Sequence, residues 1–502
     1  MIELDGRSLT LEEVESIARS AAVVGISDAA LAAVHRSRDL VKEKAESDEV
    51  VYGVTTGFGR LADIRIPKDD QIALQRNLLR SHAAGWGAHL SEVEVRALLL
   101  LRANALARGY SGVRAEVIHR LLEFLNLKLH PAVPETGSVG ASGDLGPLAH
   151  MALPMIGEGE FLDPGDPGST RPASDVLAEH GLDPLQLEAK EGLALINGTQ
   201  ATTALGILAL LRAARVLETL EVAGAMSLEV LKGTPEAFRP EVHEARGQAG
   251  QIESAARLMS LLAGSEIRES HRHGDPRVQD AYCLRCMPQI HGAARSTFAY
   301  VRDILSREAN AVTDNPLIFP DSGSVISAGN FHAQVVSQAL DYLCIAIADL
   351  AAVSERRLER LLNPDLSGLP AFLSPNPGLH SGFMILQVTV VDLLAELRVL
   401  SHPVSVDSVP TSANQEDHVS MGLASARKAR RASSLLEVVA AAELIAGAQG
   451  LEFRRPLKGG SGVESAYAAV RRMVEPLGDD RPPAPDLSAV ARAVSEGAFV
   501  PG

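Results

Sequence analysis

Four stretches of this chain, roughly residues 200–231, 330–362, 382–401 and 417–449, are rich in Ala and Leu with apolar positions recurring at helical spacing. Each is long enough for several helical turns, and each carries so few polar positions per turn that it must be covered on most sides. A chain built on such segments folds as a bundle of long helices. One copy of the chain leaves some of these apolar faces uncovered, which predicts helices shared between copies and therefore a homo-oligomer.

With 502 residues, 46% hydrophobic and 22% charged, the chain has the length for roughly three domains or one large core with a subdomain, and neither a disordered nor a fibrous composition. Its 47 basic against 63 acidic residues give a net charge of -16, and no Lys or Arg run is dense enough to track phosphates. Nucleic acid and anionic membrane are thus poor candidates for partners. The opening residues Met1-Ile2-Glu3-Leu4-Asp5 lack the order of a secretory signal, and apolar runs are cut by charge, as by Asp341 and Asp349 around Cys344. No membrane span is expected. Three cysteines form no disulfide framework and suit a reducing, cytoplasmic setting.

Helix starts are marked by Thr10 with Glu13 and by Ser91 with Glu94, pairs in which side chains and backbone amides satisfy one another, and the second opens an apolar run ending at Gly109. Residues 51–59, VYGVTTGFG, are too glycine-rich for a helix and read as a loop or short extended piece. Segments 131–147 and 161–172 are dense in Pro, Gly and Ser, the latter predicting a surface hairpin or loop. Residues 459–462 and 479–486 read as surface loops. The change of character after Asn197-Gly198 places a division near 199, giving an N-terminal domain 1–199 and a helical domain 200–502.

The segment most suggestive of chemistry is GSVGASGDLG at 137–146. No Lys follows for a phosphate loop, Gly143-Asp144 after Ser142 breaks a nucleophile elbow, and the dinucleotide fingerprint fails. By composition alone the loop is flexible Gly/Ser chain. A tight bend could also press the Gly143 nitrogen against the Ala141 carbonyl, an approach that glycine makes sterically easy. Attack there with loss of water closes a five-membered ring, and dehydration of Ser142 leaves a conjugated exocyclic methylene, an electron-poor alkene.

Taken with VYGVTTGFG at 51, RSHAAG at 80, LALINGTQ at 193, VQDAYCLRC at 278, GNFHA at 329 and NQEDHVSMG at 414, this segment resembles the aromatic amino acid lyase family nearly end to end. Among its members the chain is most similar to the histidine-directed ones. The resemblance implies a mainly α fold, a long-helix bundle of the fumarase/aspartase-like type with a smaller N-terminal active-site domain. It also implies a methylidene-imidazolone (MIO) group made from Ala141, Ser142 and Gly143, a homotetramer with shared active sites, and no external cofactor or metal. The implied reaction takes L-histidine to trans-urocanate and ammonia, the first step of histidine degradation.

The resemblance makes Tyr52 the base for the β-hydrogen, with Glu416 as runner-up, and places Asn197 beside the ring and the substrate carboxylate. It gives Arg285 the two-pronged carboxylate contact that a lysine cannot copy. Gln279, Tyr282 and Arg285 fall at offsets of three, so a helix over 278–286 would set them on one face. Phe331 and Met384 match pocket-wall positions, and Ser81-His82 suits an imidazole substrate rather than a phenyl or phenol ring. The rivals are a tyrosine or phenylalanine lyase or aminomutase of the same family, and an inactive helical scaffold. Cys283 and Cys286 have C-x-x-C spacing without a second pair, and structural packing is the expectation for them.

Overall fold

The computed structural model of the chain describes residues 2–20, 22–47, 49–166, 168–275 and 277–500. The fold is mainly α. The strands pair only locally: Ile2–Leu4 runs parallel to Val24–Ile26, while Trp86–His89 with Pro134–Thr136, Glu160–Leu162 with Thr170–Pro172, and Leu317–Phe319 with Ser324–Ile326 are antiparallel. The third of these pairs is the hairpin expected over 161–172.

Two compact units make up the chain. One consists of Met1–Leu208, Arg302–Asp341 and Pro403–Arg427, the other of Ala209–Val301, Tyr342–His402 and Lys428–Gly502. Each is assembled from three separate segments, a different division from two consecutive blocks meeting at 199, because several of the segment boundaries fall inside long helices.

Those helices run over Gln200–Val230, Gln334–Leu362, Met384–Leu400 and Gly422–Glu452. The second, third and fourth begin two to five residues later than their apolar pattern. Before the second, Ala333 N–H donates to Gly140 O at 3.2 Å, and before the fourth, Met421 N–H donates to Val139 O at 2.7 Å. The backbone there serves the glycine-rich loop instead of the helix. The helices Gln334–Leu362 and Gly422–Glu452 are long and apolar enough to cross a membrane by length and composition, although Asp341 and Asp349 interrupt the first and Glu437 and Glu443 the second. Their most apolar stretches are 61% and 89% buried within the molecule, the condition of core helices.

Both expected capping boxes form. Thr10 Oγ accepts from Glu13 N–H at 3.2 Å while Glu13 accepts from Thr10 N–H at 2.9 Å, and Ser91 and Glu94 repeat the exchange. Such a cap stabilises a helix start by about 1 kcal/mol. The helix Glu92–Ala107 is buried at every position from Val95 onward. Its Arg96 guanidinium donates to the carbonyls of Ile17, Ala18, Ser20 and Leu125, closing the C-terminal ends of two neighbouring helices. In the second unit, Arg357 and Glu443 form a fully buried pair, and Ser227 and Ser354 donate to the remaining carboxylate lone pairs at 2.7 and 2.6 Å.

Three sequence expectations need correction. Residues 459–462 include Ser461, which opens the helix Ser461–Arg471, and 479–486 runs into the helix Ala484–Ser495. The helix anticipated over 278–286 is confined to Tyr282–Arg285, capped by extended Ala281. Asp280 Oδ2 accepts from Thr234 N–H at 2.7 Å and Val278 is 96% exposed, so the preceding residues are tied outward and carry no packing face.

Candidate active site

The site grows from the loop joining the strand Pro134–Thr136 to the helix Leu145–Ala152. Ser138 folds this loop on itself: its hydroxyl lies 3.1 Å from both Gly143 O and Asp144 Oδ1, and it accepts from Gly140 N–H at 3.0 Å. Gly143 sits at φ +74°, and a Cβ there would lie 2.3 Å from Gly198 O. No other residue fits that contact, because left-handed backbone and a backbone wall act together. Asp144 fastens the loop from below. Its N–H donates to Gly198 O at 2.7 Å, and its fully buried carboxylate accepts from both Thr202 N–H and Thr202 Oγ at 2.8 Å. Burial raises this carboxyl above its ordinary range against the pull of those hydrogen bonds.

Asn197 follows the short helix Glu191–Ile196, and its side-chain N–H donates to Ser142 O at 2.7 Å. The turn that carries Asn197 is braced by buried charge. Arg102 donates to Ala194 O and, at 2.7 Å, to Gln200 Oε1, while Lys190 pairs with Asp314 at 2.7 Å. Burial pushes the Arg102 guanidinium down to about 10, so it remains charged near neutrality. Asp144, Arg102, Lys190 and Thr202 escaped the sequence reading; of these only Asp144, inside the GASGD run, carried a local signal.

Tyr52 stands on the turn 51–56, which Val51 and Val54 anchor in a core with Leu40, Val41, Ala189 and Ile318. Thr55 Oγ accepts from Val51 N–H at 2.8 Å and closes the turn. Gly59 N–H donates to the Tyr52 phenol oxygen at 3.2 Å. His82 ends the helix Gln71–His82, and its Nδ1 lies 2.9 Å from Leu78 O. A carbonyl only accepts, so this partner puts the proton on Nδ1 and leaves Nε2 as an acceptor. Burial lowers the imidazole below its ordinary value, opposed by the charge of Glu416. The neutral form is therefore favoured.

Glu416 belongs to a turn closed on itself by Thr411 N–H to Glu416 O at 2.8 Å and Glu416 N–H to Thr411 O at 3.3 Å. One of its carboxylate oxygens accepts from Ser142 Oγ. Tyr52, His82, Ser142, Asn197, Phe331 and Glu416 line one cavity of about 850 Å³, walled elsewhere largely by apolar side chains. That is ample for an amino acid.

Gln279, Tyr282, Arg285 and Met384 lie in the second unit and do not line this cavity. The first three border a hollow of about 440 Å³ together with Arg277 and Arg360. The Arg285 guanidinium stacks 4.6 Å from the centre of the Tyr282 ring, which is 69% exposed. Met384 opens the helix Met384–Leu400. Cys283, Cys286 and Cys344 are free thiols, and burial raises the Cys283 thiol above its ordinary value, the opposite of an activated nucleophile. Among the described residues no three His, Cys, Asp or Glu side chains gather as metal ligands.

A serine in a glycine-framed loop has a carboxylate on its hydroxyl and an amide on its carbonyl, and a phenol and a neutral imidazole line the same cavity, a set of groups able to move protons. Known proteins match this chain in sequence and fold nearly end to end. Histidine ammonia-lyase of Anaeromyxobacter dehalogenans (strain 2CP-C) is 54% identical over 501 residues, 99% of each chain. The crystal structure of histidine ammonia-lyase from Trypanosoma cruzi matches with a TM-score of 0.92 at 42% identity, covering 99% of this chain and 94% of that one. Tyrosine aminomutase from Streptomyces globisporus matches with a TM-score of 0.94 at 39% identity, covering 99% and 97%. Residues 9–472 match the family described as aromatic amino acid lyase, and the chain belongs to that family.

Proposed function

We propose that this protein eliminates ammonia from L-histidine to give trans-urocanate, using an MIO group formed from Ala141, Ser142 and Gly143. The observation that carries the reading is that Glu416 and Asn197 both hydrogen-bond Ser142 in a cavity that His82 and Tyr52 also line. The loop fits the group: Gly143 has the positive φ and the missing Cβ that the bend requires, and Asn197 already holds a donor on Ser142 O. Once formed, the group supplies an electron-poor alkene that makes the substrate nitrogen a better leaving group.

The chain's own residues supply the rest. His82 Nε2 accepts the imidazole N–H of the substrate, a contact that phenyl and phenol rings do not offer in the same place, which is the basis of selectivity. Elimination breaks the Cβ–H and Cα–N bonds and forms the Cα=Cβ bond: Tyr52, with Gly59 N–H on its oxygen, takes the β-proton, and the Glu416 carboxylate takes the proton that the substrate ammonium sheds and returns it to the departing nitrogen. Asn197 holds its donor on Ser142 O, and Phe331 with the apolar walls keeps water from the reacting atoms. The reading calls on no added nucleotide, pyridoxal or metal.

Arg285, Gln279, Tyr282 and Met384 complete the site from another copy in a homotetramer, Arg285 holding the substrate carboxylate. Exposed Ile385, Val388, Val391 and Val399 on the helix Met384–Leu400 support association through that helix. The enzyme works in the cytoplasm.

The likeness to tyrosine aminomutase supports a second reading, action on tyrosine. Incubating the purified protein separately with L-histidine, L-tyrosine and L-phenylalanine tests both. Urocanate absorbance growing with histidine is expected; an acrylate or β-amino acid from tyrosine alone would overturn the assignment, and no product from any would favour an inactive scaffold.

A further inference from the structure

We propose that Thr411 is a positioning residue for Glu416, fixing which carboxylate oxygen faces the reacting atoms; the inference rests on the role given to Glu416 above. Thr411 Oγ donates to Glu416 Oε2 at 2.8 Å, while Oε1 accepts from Ser142 Oγ. Among the described residues these two hydroxyls are the hydrogen-bond donors to that carboxylate. MIO formation removes the Ser142 hydroxyl as water, and Thr411 then remains as the one donor. A glutamate side chain has three torsions, so without this second anchor its carboxylate is free to turn away.

The backbone is built to present the pair. Residues 411–416 form a turn whose two ends exchange both backbone hydrogen bonds. Its middle residues, Ser412, Ala413 and Asn414, all adopt left-handed backbone at φ 50°, 50° and 68°, a conformation L residues rarely hold and one that persists only where the surroundings impose it. Ser412, Ala413 and Glu416 border the cavity, whereas Thr411 does not and reaches the carboxylate from behind. It therefore acts through Glu416 and touches no substrate.

The test compares Thr411→Val and Thr411→Ser in the parent protein, with Thr411→Val repeated on Glu416→Ala, each variant weighed intact to establish that Ser142 has lost its water. Thr411→Val should lower kcat by about tenfold to a hundredfold, the cost of a misplaced catalytic group, while KM changes by less than about threefold. Thr411→Ser should restore most of the activity. On Glu416→Ala the valine should cost nothing further, which a merely structural role would not predict. Parental kcat in Thr411→Val beside an impaired Glu416→Ala overturns the inference and leaves the function standing, as does an equal loss in both backgrounds. A fully active Glu416→Ala overturns the role of Glu416 and the inference with it.

Discussion

Replacing Asn197 with Ala removes one hydrogen bond whose consequences are calculable from its geometry. The side-chain N–H donates at 2.7 Å to Ser142 O, and Asn197 is 3% exposed, so water does not take over the contact. In the ground state a buried carbonyl loses its donor, a loss of about 1–3 kcal/mol that lowers the unfolding temperature by a few degrees. The fold survives, because the helical bond from Asn197 N–H to Leu193 O is backbone. The larger effect is on rate. In the proposed MIO group Ser142 O would be conjugated with the methylidene carbon and would draw the negative charge of an addition there, and a donor preset on such an oxygen accelerates reaction by about 100- to 1000-fold, or ~2.7–4 kcal/mol. Asn197→Ala should therefore lose that factor in kcat at saturating histidine, measured on protein whose intact mass equals the parent's less the side-chain difference. Asn197→Asp, which sets an acceptor against the carbonyl oxygen, should do no better. A variant with the modified mass that keeps kcat within about threefold of the parent would refute the electrostatic role of this residue.

Gly143→Ala places a Cβ 2.3 Å from Gly198 O at a backbone where L residues are strained. It should remain helical by circular dichroism, weigh two waters more than parent plus one methylene, and be inactive; an active, dehydrated variant would contradict the loop geometry. Glu443→Ala leaves the fully buried Arg357 without its counter-charge and should destabilise the protein by about 3–5 kcal/mol in denaturant titration, where a change under about 1 kcal/mol would show the pair to be dispensable. Burial pushes the His130 imidazole down to about 4 from the ordinary value near 6.5. As pH falls below about 6.5 the unfolded chain takes up a proton that the native state refuses, so His130 makes stability drop between about 6.5 and 4. His130→Gln should flatten that part of the stability curve, and an unchanged slope would show that another group causes it.

The long helices were legible because burial on nearly all sides leaves a dense apolar pattern that few alternatives can satisfy, and both capping boxes were legible because three residues of spacing encode them. Where the pattern misled, a specific contact took the backbone elsewhere: Ala333 and Met421 serve the loop at 139–140 instead of extending their helices, and Asp280 ties off what spacing suggested was one helical face. Tyr52, His82, Ser142, Asn197, Phe331 and Glu416 were found from motifs, and they share a cavity. Arg102, Lys190 and Thr411 were not, since an arginine on an apolar helix, a lysine before a turn and a threonine in a polar run have no distinguishing neighbours. Their roles come from partners 5 to 124 residues away in the chain, which only the folded structure brings within reach.

Everything in the catalytic account depends on Ala141, Ser142 and Gly143 having closed into a ring. Mass spectrometry of the intact protein, followed by fragmentation of the peptide that spans them, reads this directly. The account predicts a chain lighter than its sequence by two waters, with the whole deficit in those three residues. An active preparation with the full unmodified mass would contradict it.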